Sequence, residues 1–435
     1  MSRKYIIIIP DGFADDPLPQ LGGKTPMQYA KTPHMDHLAE RSFLGRSHNV
    51  PGEFVPGSDV ATLSLLGYNP AEVYTGRAPL EACAQGIALG EDDWAFRCNL
   101  VSLQNDIMKS FTADHISTEE ATDLLQRVQK AIAPSWNDLV KEAAAADPSF
   151  REEDYIGSIE FFPGVSYRNL MIFRPDRKGS PFSMETKTFP PHDYTDQKIS
   201  GVLPQGKGSA VLRLLMDRIA RLFESDPVNK SRIANGKLAA THAWLWGQGQ
   251  RPRIVPFADR FGGIKGSMIT AVDLLRGIAK CLDWSIIHVP NITGYVDTDF
   301  AAKGKYAADA LDQFDLVCVH IEATDEAGHE GSVEKKIKAL EDIDSKTLPP
   351  LLEKLNDFSD WRLLITPDHP TPAAIKTHSH GEVPWMLASS ESRQLRKDQK
   401  YDEISASSSK NYFEQGWELM EHFLHSPLEF FDKDK

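Results

Sequence analysis

Cysteine is scarce in this chain. The four that occur in 435 residues are Cys83, Cys98, Cys281 and Cys318, and no two stand in a C-x-x-C spacing, which argues against a zinc cluster and against a disulfide framework. They read as buried, reduced thiols, Cys318 lying inside an apolar strand pattern. Long apolar runs are also missing. The N-terminus passes from Met1-Ser2-Arg3-Lys4 into Tyr5-Ile6-Ile7-Ile8-Ile9 and stops at Pro10. That run is too short for a signal peptide's apolar region or a membrane span, so a cytoplasmic protein without membrane association is expected. Positive charge is in deficit, with 48 Lys and Arg against 62 Asp and Glu, a formal net charge of −14. Such a balance argues against sequence-independent nucleic-acid binding, which depends on neutralising phosphates. A small anionic substrate stays open, because local metal and arginine charge can override the global sign. Internal repeats are absent.

What is present has the texture of a soluble α/β protein. A chain of this length exceeds what one hydrophobic core usually serves, so two domains are expected. Apolar runs alternate with helical patterns in two separated stretches. The first holds a strand at 5–9, a helix near 34–42 and a helix from Asp59 to Leu66 ending at Gly67. The second reads as a helix over Ser267–Ala279, a strand over Ser285–Val289, a helix over Phe300–Leu311 and a strand over Phe314–His320. A helix over Val333–Leu355, a strand over Leu363–Thr366 and a closing amphipathic helix over Tyr412–Leu424 follow. This alternation predicts a mostly parallel sheet flanked by helices. Between the stretches the rhythm breaks at Phe161-Phe162-Pro163-Gly164-Val165 and Pro190-Pro191-His192-Asp193, and Ser117-Thr118-Glu119-Glu120 is a capping box. The predicted organisation is a discontinuous domain, 1–90 with 265–435, interrupted by a smaller inserted α+β domain, 91–264, suited to act as a substrate-binding lid. Residues 389–410, rich in Ser and Lys, read as an exposed loop.

Carboxylates and imidazoles recur where these strands end. Asp11 follows the first strand, Asp325 and His329 follow the strand ending near His320, and Asp368-His369 follows Leu363–Thr366, with His378 beyond. Open α/β sheets bind ligands at the carboxyl edge of their strands. Singly, each residue has an ordinary reading: an Asp after a strand is commonly a helix cap, and Gly328 makes Asp325–His329 as compatible with a turn as with one helix face. Jointly they form an oxygen and nitrogen donor set suited to Mn²⁺, Zn²⁺ or Co²⁺, whereas an all-oxygen set would favour Mg²⁺ or Ca²⁺. Ser58, in Gly57-Ser58-Asp59, opens a helix. It is either that helix's N-cap or, beside a divalent ion and a helix N-terminus, a nucleophile toward phosphate.

The segments Ile9-Pro10-Asp11-Gly12, Pro56-Gly57-Ser58-Asp59-Val60-Ala61, Gly67-Tyr68-Asn69-Pro70, Tyr74-Thr75-Gly76-Arg77-Ala78-Pro79 and Asp325-Glu326-Ala327-Gly328-His329 resemble those of the archaeal-type cofactor-independent phosphoglycerate mutases, a family of the alkaline phosphatase superfamily. The resemblance extends through Trp244-Leu245-Trp246-Gly247-Gln248-Gly249 and Thr293-Gly294-Tyr295-Val296-Asp297-Thr298. It implies an alkaline-phosphatase-like fold and two divalent ions (Mn, Mg, Zn or Co). One ion would be held by Asp325, His329 and His378, the other by Asp11, Ser58, Asp368 and His369. It further implies that Ser58 carries the phosphoryl group as a phosphoserine, without added bisphosphoglycerate, while 3-phosphoglycerate and 2-phosphoglycerate interconvert in glycolysis and gluconeogenesis. His115, in Asp114-His115-Ile116-Ser117-Thr118, and Arg168, in Ser166-Tyr167-Arg168-Asn169, match segments implied to contact the substrate, a role for which guanidinium geometry is suited. A phosphatase or phosphotransferase on a small phosphate ester would share the same ligands. The chain departs from the family at His34 and His242, where Asn is common. Lys265 and Lys303 read as solvated.

Overall fold

The computed structural model describes residues 3–146, 151–177, 182–183, 185–392 and 396–432. In chain order its strands are β1 (Lys4–Pro10), β2 (Phe43–Ser47), β3 (Trp94–Gln104), β4 (Ile107–Ser110), β5 (Gly157–Phe162), β6 (Arg168–Pro175), β7 (His242–Gln250), β8 (Gly266–Ile269), β9 (Ser285–Ile286), β10 (Leu316–Ile321), β11 (Trp361–Ile365), β12 (Val383–Ser389) and β13 (Tyr412–Phe413). The chain divides into two compact units, Met1–Tyr74 with Arg253–Lys435, and Thr75–Pro252.

The first unit is built on an eight-stranded sheet in the order β13-β2-β12-β11-β1-β10-β8-β9. β1 lies between β10 and β11, parallel to both, with Ile8 opposite Val319 on one side and Ile365 on the other. A strand covered on both faces has no reason to alternate, and Ile6, Ile7, Ile8 and Ile9 are all fully buried. β12 is antiparallel to β11 and β2, while β8 and β9 continue the parallel set. Because β1, β10 and β11 run in register, whatever follows their last residues is delivered to one edge. The outermost strands are two residues each, too short to recruit another chain.

Sequence periodicity failed in two places here. Ser267–Ala279, expected to be one helix, is split into β8 and a helix over Asp273–Cys281. Strand and helix each bury apolar residues, and the join at Thr270 carries no proline or glycine to mark it. Gly266 is required at the start of β8 because a Cβ there would overlap the Trp284 indole. Tyr412–Leu424 likewise resolves into β13 and a helix over Glu418–His425, broken at Gly416, where a Cβ would strike Asn49 Oδ1. The helix expected over Val333–Leu355 does run that length, but residues Ile343–Thr347 form a π turn just ahead of Pro349-Pro350. Part of 389–410 is ordered as a helix over Glu403–Ser407; residues 393–395 lie outside the described residues.

The second unit carries an antiparallel sheet in which β3 pairs with β4, β6 and β7, and β5 pairs with β6. Helices over Thr118–Ala131, Trp136–Ala146 and Ser209–Glu224 accompany a core of Trp94, Phe96, Trp136, Phe173, Phe182 and Trp244. The capping box forms: Ser117 Oγ accepts from the Glu120 amide at 3.1 Å and Glu120 Oε2 accepts from the Ser117 amide at 3.0 Å. Two amides of β5 are covered by side chains, Gly157 N donating to Asn137 Oδ1 and Phe161 N to Gln129 Oε1. The junctions fall at 74/75 and 252/253, not at 90/91 and 264/265. The helix over Arg77–Ala84 packs its Ala78 and Ala82 against Ala95, Leu170 and Ile172 of the second unit, whereas Phe257 packs on Trp284 in the first.

Candidate active site

The carboxyl ends of β1, β10 and β11 bring the sequence-predicted ligands of the first unit together. Asp11 continues the ladder beyond β1, its amide donating to Ile321 O at 3.0 Å. Gly12 turns the chain with φ of 61° and donates to Asp368 Oδ1 at 3.2 Å. A helix over Ala323–Glu330 follows β10 at once, so Asp325 and His329 do share a face, with His329 Nε2 3.2 Å from Asp325 Oδ2. Asp368 and His369 lie in the turn after β11, both fully buried. Asn49 Nδ2 fixes that turn by donating to Asp368 O at 2.9 Å.

Two donor clusters result, one of Asp325, His369 and His378 and one of Asp11, Asp368 and His369, the ligand atoms of each within 4.8 Å of one another. His329 joins the first, its Nε2 2.9 Å from His378 Nε2. Those two imidazoles have their other nitrogens on backbone carbonyls, His329 Nδ1 3.2 Å from Lys376 O and His378 Nδ1 3.1 Å from Pro56 O. A carbonyl only accepts, so each Nδ1 carries a proton, and the two Nε2 atoms converge beside a carboxylate, where loss of their protons would turn both lone pairs toward a cation. In the second cluster Asp11 Oδ1 and Asp368 Oδ2 are buried without a hydrogen-bond partner. Converging imidazole nitrogens and buried, unsatisfied carboxylate oxygens are a cation's coordination shell, and the mix of nitrogen and oxygen suits a first-row divalent ion.

The electrostatics agree. Burial, then the neighbouring carboxylates Asp368 and Asp325, pushes the Asp11 carboxyl well above its ordinary range. Asp325, although burial acts to raise it, is held well below by hydrogen bonds from His329 and His378. His329 is raised to about 9, first by its hydrogen bond to Asp325, and His369 is lowered by burial. With no ion bound, His329 keeps a proton on Nε2 for Asp325 and Asp11 tends to keep its own, so a divalent ion would take the place of protons, and metal binding would be linked to their release.

Ser58 is the first residue of the helix over Ser58–Leu65, but it is not the cap. Gly57 occupies the N-cap position, with no side-chain cap bond. Freed from capping, Ser58 Oγ stands 3.2 Å from His369 Nε2 and 3.4 Å from Asp11 Oδ2. The hydroxyl therefore sits at the second cluster and at the positive end of a helix, where a phosphoryl group would be attracted.

Sequence reasoning missed the residues behind these ligands. His320, the one polar side chain in β10, is buried with Nε2 2.9 Å from Asp11 Oδ2. Thr324 Oγ1 donates to Asp11 O and Thr371 Oγ1 donates to Asp325 Oδ1. Lys303 is not solvated: it is 1% exposed, donates to His320 O at 3.1 Å, and is lowered to about 8 by burial. A histidine inside an otherwise apolar strand was the available signal. The two departures from the family pattern have local partners, His34 Nδ1 lying 3.0 Å from Asp344 Oδ2 and His242 Nδ1 2.9 Å from Thr241 Oγ1.

His115 and Arg168 belong to the second unit and occupy adjoining turns. Ala113, Asp114 and His115 all have positive φ, 46°, 54° and 49°, an unfavourable run for residues with a Cβ and one typical of functional turns. Side chains hold it: Thr112 Oγ1 accepts from His115 N at 3.1 Å and Ser110 Oγ from Asp114 N at 2.8 Å. Ser166 ties in the neighbouring turn through Ile116 O and Thr118 Oγ1. Arg168, exposed, has its guanidinium 5.2 Å from the Tyr167 ring centroid and donates through Nε to Tyr167 Oη at 3.1 Å. In the same unit Arg97 is buried over the Trp246 ring at 4.1 Å and paired with Glu81 at 3.0 Å. Arg168 is thus an exposed cation backed by an aromatic ring, while Arg97 is buried and neutralised by Glu81.

Comparison with known proteins is consistent across the chain. A family model described as 2,3-bisphosphoglycerate-independent phosphoglycerate mutase matches residues 39–229. A probable 2,3-bisphosphoglycerate-independent phosphoglycerate mutase of Geobacter sulfurreducens is 40% identical over 425 residues, 97% of this chain and 99% of that one. A mutase of the same name from Methanothermobacter thermautotrophicus is 43% identical over 389 residues, 89% of each chain. Among solved structures, a Pyrococcus horikoshii protein superposes with a TM-score of 0.77 at 25% identity, covering 100% of this chain and 99% of that one. The cofactor-independent phosphoglycerate mutase of Thermoplasma acidophilum shares the fold, with a TM-score of 0.61 at 22% identity over 97% of this chain and 99% of its own. No helix among the described residues is long and apolar enough to cross a membrane.

Proposed function

The chain belongs to the 2,3-bisphosphoglycerate-independent phosphoglycerate mutases and is an isomerase, and from that premise we propose that Ser58 carries the phosphoryl group between the two positions of phosphoglycerate. The observation that carries this reading is a helix-initial serine whose hydroxyl is excused from capping and lies among Asp11 and His369. In this reading Asp325, His329 and His378 would hold one divalent ion, and Asp11, Asp368 and His369, with Ser58, a second. When bound, the ions supply the positive charge that neutralises phosphoryl oxygens and favours ionisation of a serine hydroxyl at neutral pH. The donor set favours Mn²⁺, Zn²⁺ or Co²⁺ over Mg²⁺.

Ser58 Oγ attacks the phosphorus in line; the bond from phosphorus to the glycerate oxygen breaks and that oxygen takes up a proton. The glycerate then offers its other hydroxyl to the phosphoserine, and the phosphoryl group returns one carbon away. His115 and Arg168 bind the anionic glycerate, so that it reorients without leaving and water does not intercept the phosphoserine. The second unit is accordingly the substrate-binding lid domain, the substrate is a small phosphate ester, and the enzyme works in the cytoplasm.

Incubation with 3-phosphoglycerate, without added bisphosphoglycerate, tests the reading when 2-phosphoglycerate and free phosphate are followed together. Isomerisation with a divalent ion, little free phosphate, and loss of turnover after verified metal removal are expected. Release of phosphate in place of 2-phosphoglycerate would make the enzyme a hydrolase instead.

A further inference from the structure

Thr371 stands two residues beyond His369 and is fully buried. Its hydroxyl donates to Asp325 Oδ1 and lies 3.2 Å from His369 Nδ1. With its proton committed to the carboxylate, Oγ1 accepts from His369 Nδ1–H, which leaves the His369 Nε2 lone pair facing Ser58 and Asp11. One hydroxyl thereby orients a ligand of the first cluster and the residue shared by both.

The backbone of Thr371 is held with equal care. Its amide donates to Ala14 O at 3.2 Å, and its carbonyl accepts from Lys336 Nζ at 2.8 Å. Lys336 Nζ also pairs with Asp15 Oδ2 at 2.8 Å, both side chains wholly buried, and Asp15 Oδ2 takes a further bond from the Ala373 amide at 3.0 Å. A buried ion pair is a weak source of stability, since the Coulombic gain is offset by desolvation, so its retention calls for another reason. Two glycines make a second, independent observation. A Cβ on Gly12 would collide with Thr371 Oγ1 and Asp325 Oδ1, and one on Gly328 with Thr371 O and Cγ2. The two strand-end motifs are hollowed on both sides of one threonine.

We propose that Thr371, anchored by the buried Lys336–Asp15 pair, is a positioning residue that sets Asp325 and His369 at the spacing the phosphoryl-transfer centre requires. The proposal rests on reading Asp325 and His369 as metal ligands.

The test compares Thr371→Val, Thr371→Ser and the double variant Asp15→Leu/Lys336→Met in the full chain, with Asp325→Asn as the control on the ligand assignment. Mn²⁺ stoichiometry and affinity, thermal midpoint, and kcat and KM for 3-phosphoglycerate are measured for each. Thr371→Val should weaken Mn²⁺ binding about 10–100-fold, the usual effect of losing a ligand's own hydrogen-bond partner. It should lower kcat at saturating Mn²⁺ while KM stays within about twofold. Thr371→Ser, which keeps the hydroxyl, should restore both. The double variant should keep a near wild-type midpoint, because an apolar pair replaces an ionic one, yet bind Mn²⁺ as weakly as Thr371→Val. Should Asp325→Asn retain full Mn²⁺ stoichiometry, the ligand assignment falls, whatever Thr371 does. If Asp325→Asn loses metal but Thr371→Val binds Mn²⁺ like wild type, the ligands stand and the positioning role is overturned. Equal losses in Thr371→Val and Thr371→Ser would also overturn it, since side-chain shape and not the hydroxyl would then matter. The threonine pair decides even if the double variant does not fold.

Discussion

His320 Nε2 lies 2.9 Å from Asp11 Oδ2, with neither side chain open to solvent. The next bond along is compatible with one tautomer in particular. Thr270 Oγ1 accepts from the Val272 amide at 3.1 Å and lies 3.2 Å from His320 Nδ1; with the Thr270 proton given to Nδ1, the imidazole proton sits on Nε2 and faces Asp11, the tautomer that suits a carboxylate acceptor. Burial lowers His320 to about 3, which keeps the ring neutral in the physiological range. Asp11 is thus held in place by a neutral ring that adds no positive charge of its own beside the cluster. His320→Leu should weaken Mn²⁺ binding by about 10–100-fold, with a smaller loss in Thr270→Val. Metal titration of both variants measures this; unchanged affinity in His320→Leu would mean that the turn at Gly12 alone fixes Asp11.

Ser58→Ala separates the nucleophile from the helix cap. Since Gly57 holds the cap position, the loss of about 0.5–2 kcal/mol seen when a capping serine is removed should not appear, and the thermal midpoint should move little. Turnover should vanish. Mass spectrometry of wild-type enzyme quenched with 3-phosphoglycerate should find phosphate on the peptide containing Ser58. Near wild-type isomerisation by Ser58→Ala would require another nucleophile.

How much of this was legible in the sequence depends on whether a contact is local or crosses the sheet. Asp11, Asp325 and Asp368 were readable because each follows an apolar strand, and parallel strands in register send such residues to one edge. The helix face shared by Asp325 and His329 was left open by Gly328, which is tolerated there because Thr371 fills the space a Cβ would need. His320 carried one signal, a histidine in an apolar strand, but its partner Asp11 is 309 residues away; the bonds from Thr371 to Asp325 and from Lys336 to Asp15 span 46 and 321 residues, and no local pattern encodes such distances. The capping box at Ser117, complete within four residues, was read correctly. The helix assigned to Ser267–Ala279 failed because two buried elements abut there without a turn residue between them.

Arg168→Gln and His115→Gln should raise KM or lower kcat while leaving metal content unchanged, because neither residue belongs to a donor cluster. Losing one charged hydrogen-bonding contact removes about 1.5–3 kcal/mol, roughly a 10- to 150-fold fall in kcat/KM. Both side chains are exposed and make few contacts of their own, so stability should be nearly unaffected. Metal lost together with activity would reassign these residues as ligands.

The last prediction concerns Glu403, at the start of a helix where the sequence suggested an open loop. Its carboxyl group accepts from Thr25 Oγ1 at 2.6 Å and from the Asp15 amide at 3.2 Å. Burial raises it to about 7 against the lowering effect of these hydrogen bonds, with Asp402 raising it further. The folded state therefore holds this proton more tightly than the unfolded chain, where a glutamate titrates near about 4.3. The contribution is fully present below the unfolded value and is lost as pH rises through 7, so wild-type stability should carry a falling component across about pH 5 to 7. Glu403→Gln stays neutral throughout, its amide able to donate to Thr25 and its oxygen to accept from Asp15, and should lack that component. Thermal midpoints of both proteins at several pH values measure the difference: the variant should gain on wild type as pH rises. Parallel profiles would show that Glu403 is already ionised in the folded protein at pH 5, with its charge carried by the hydrogen bonds from Thr25 and Asp15.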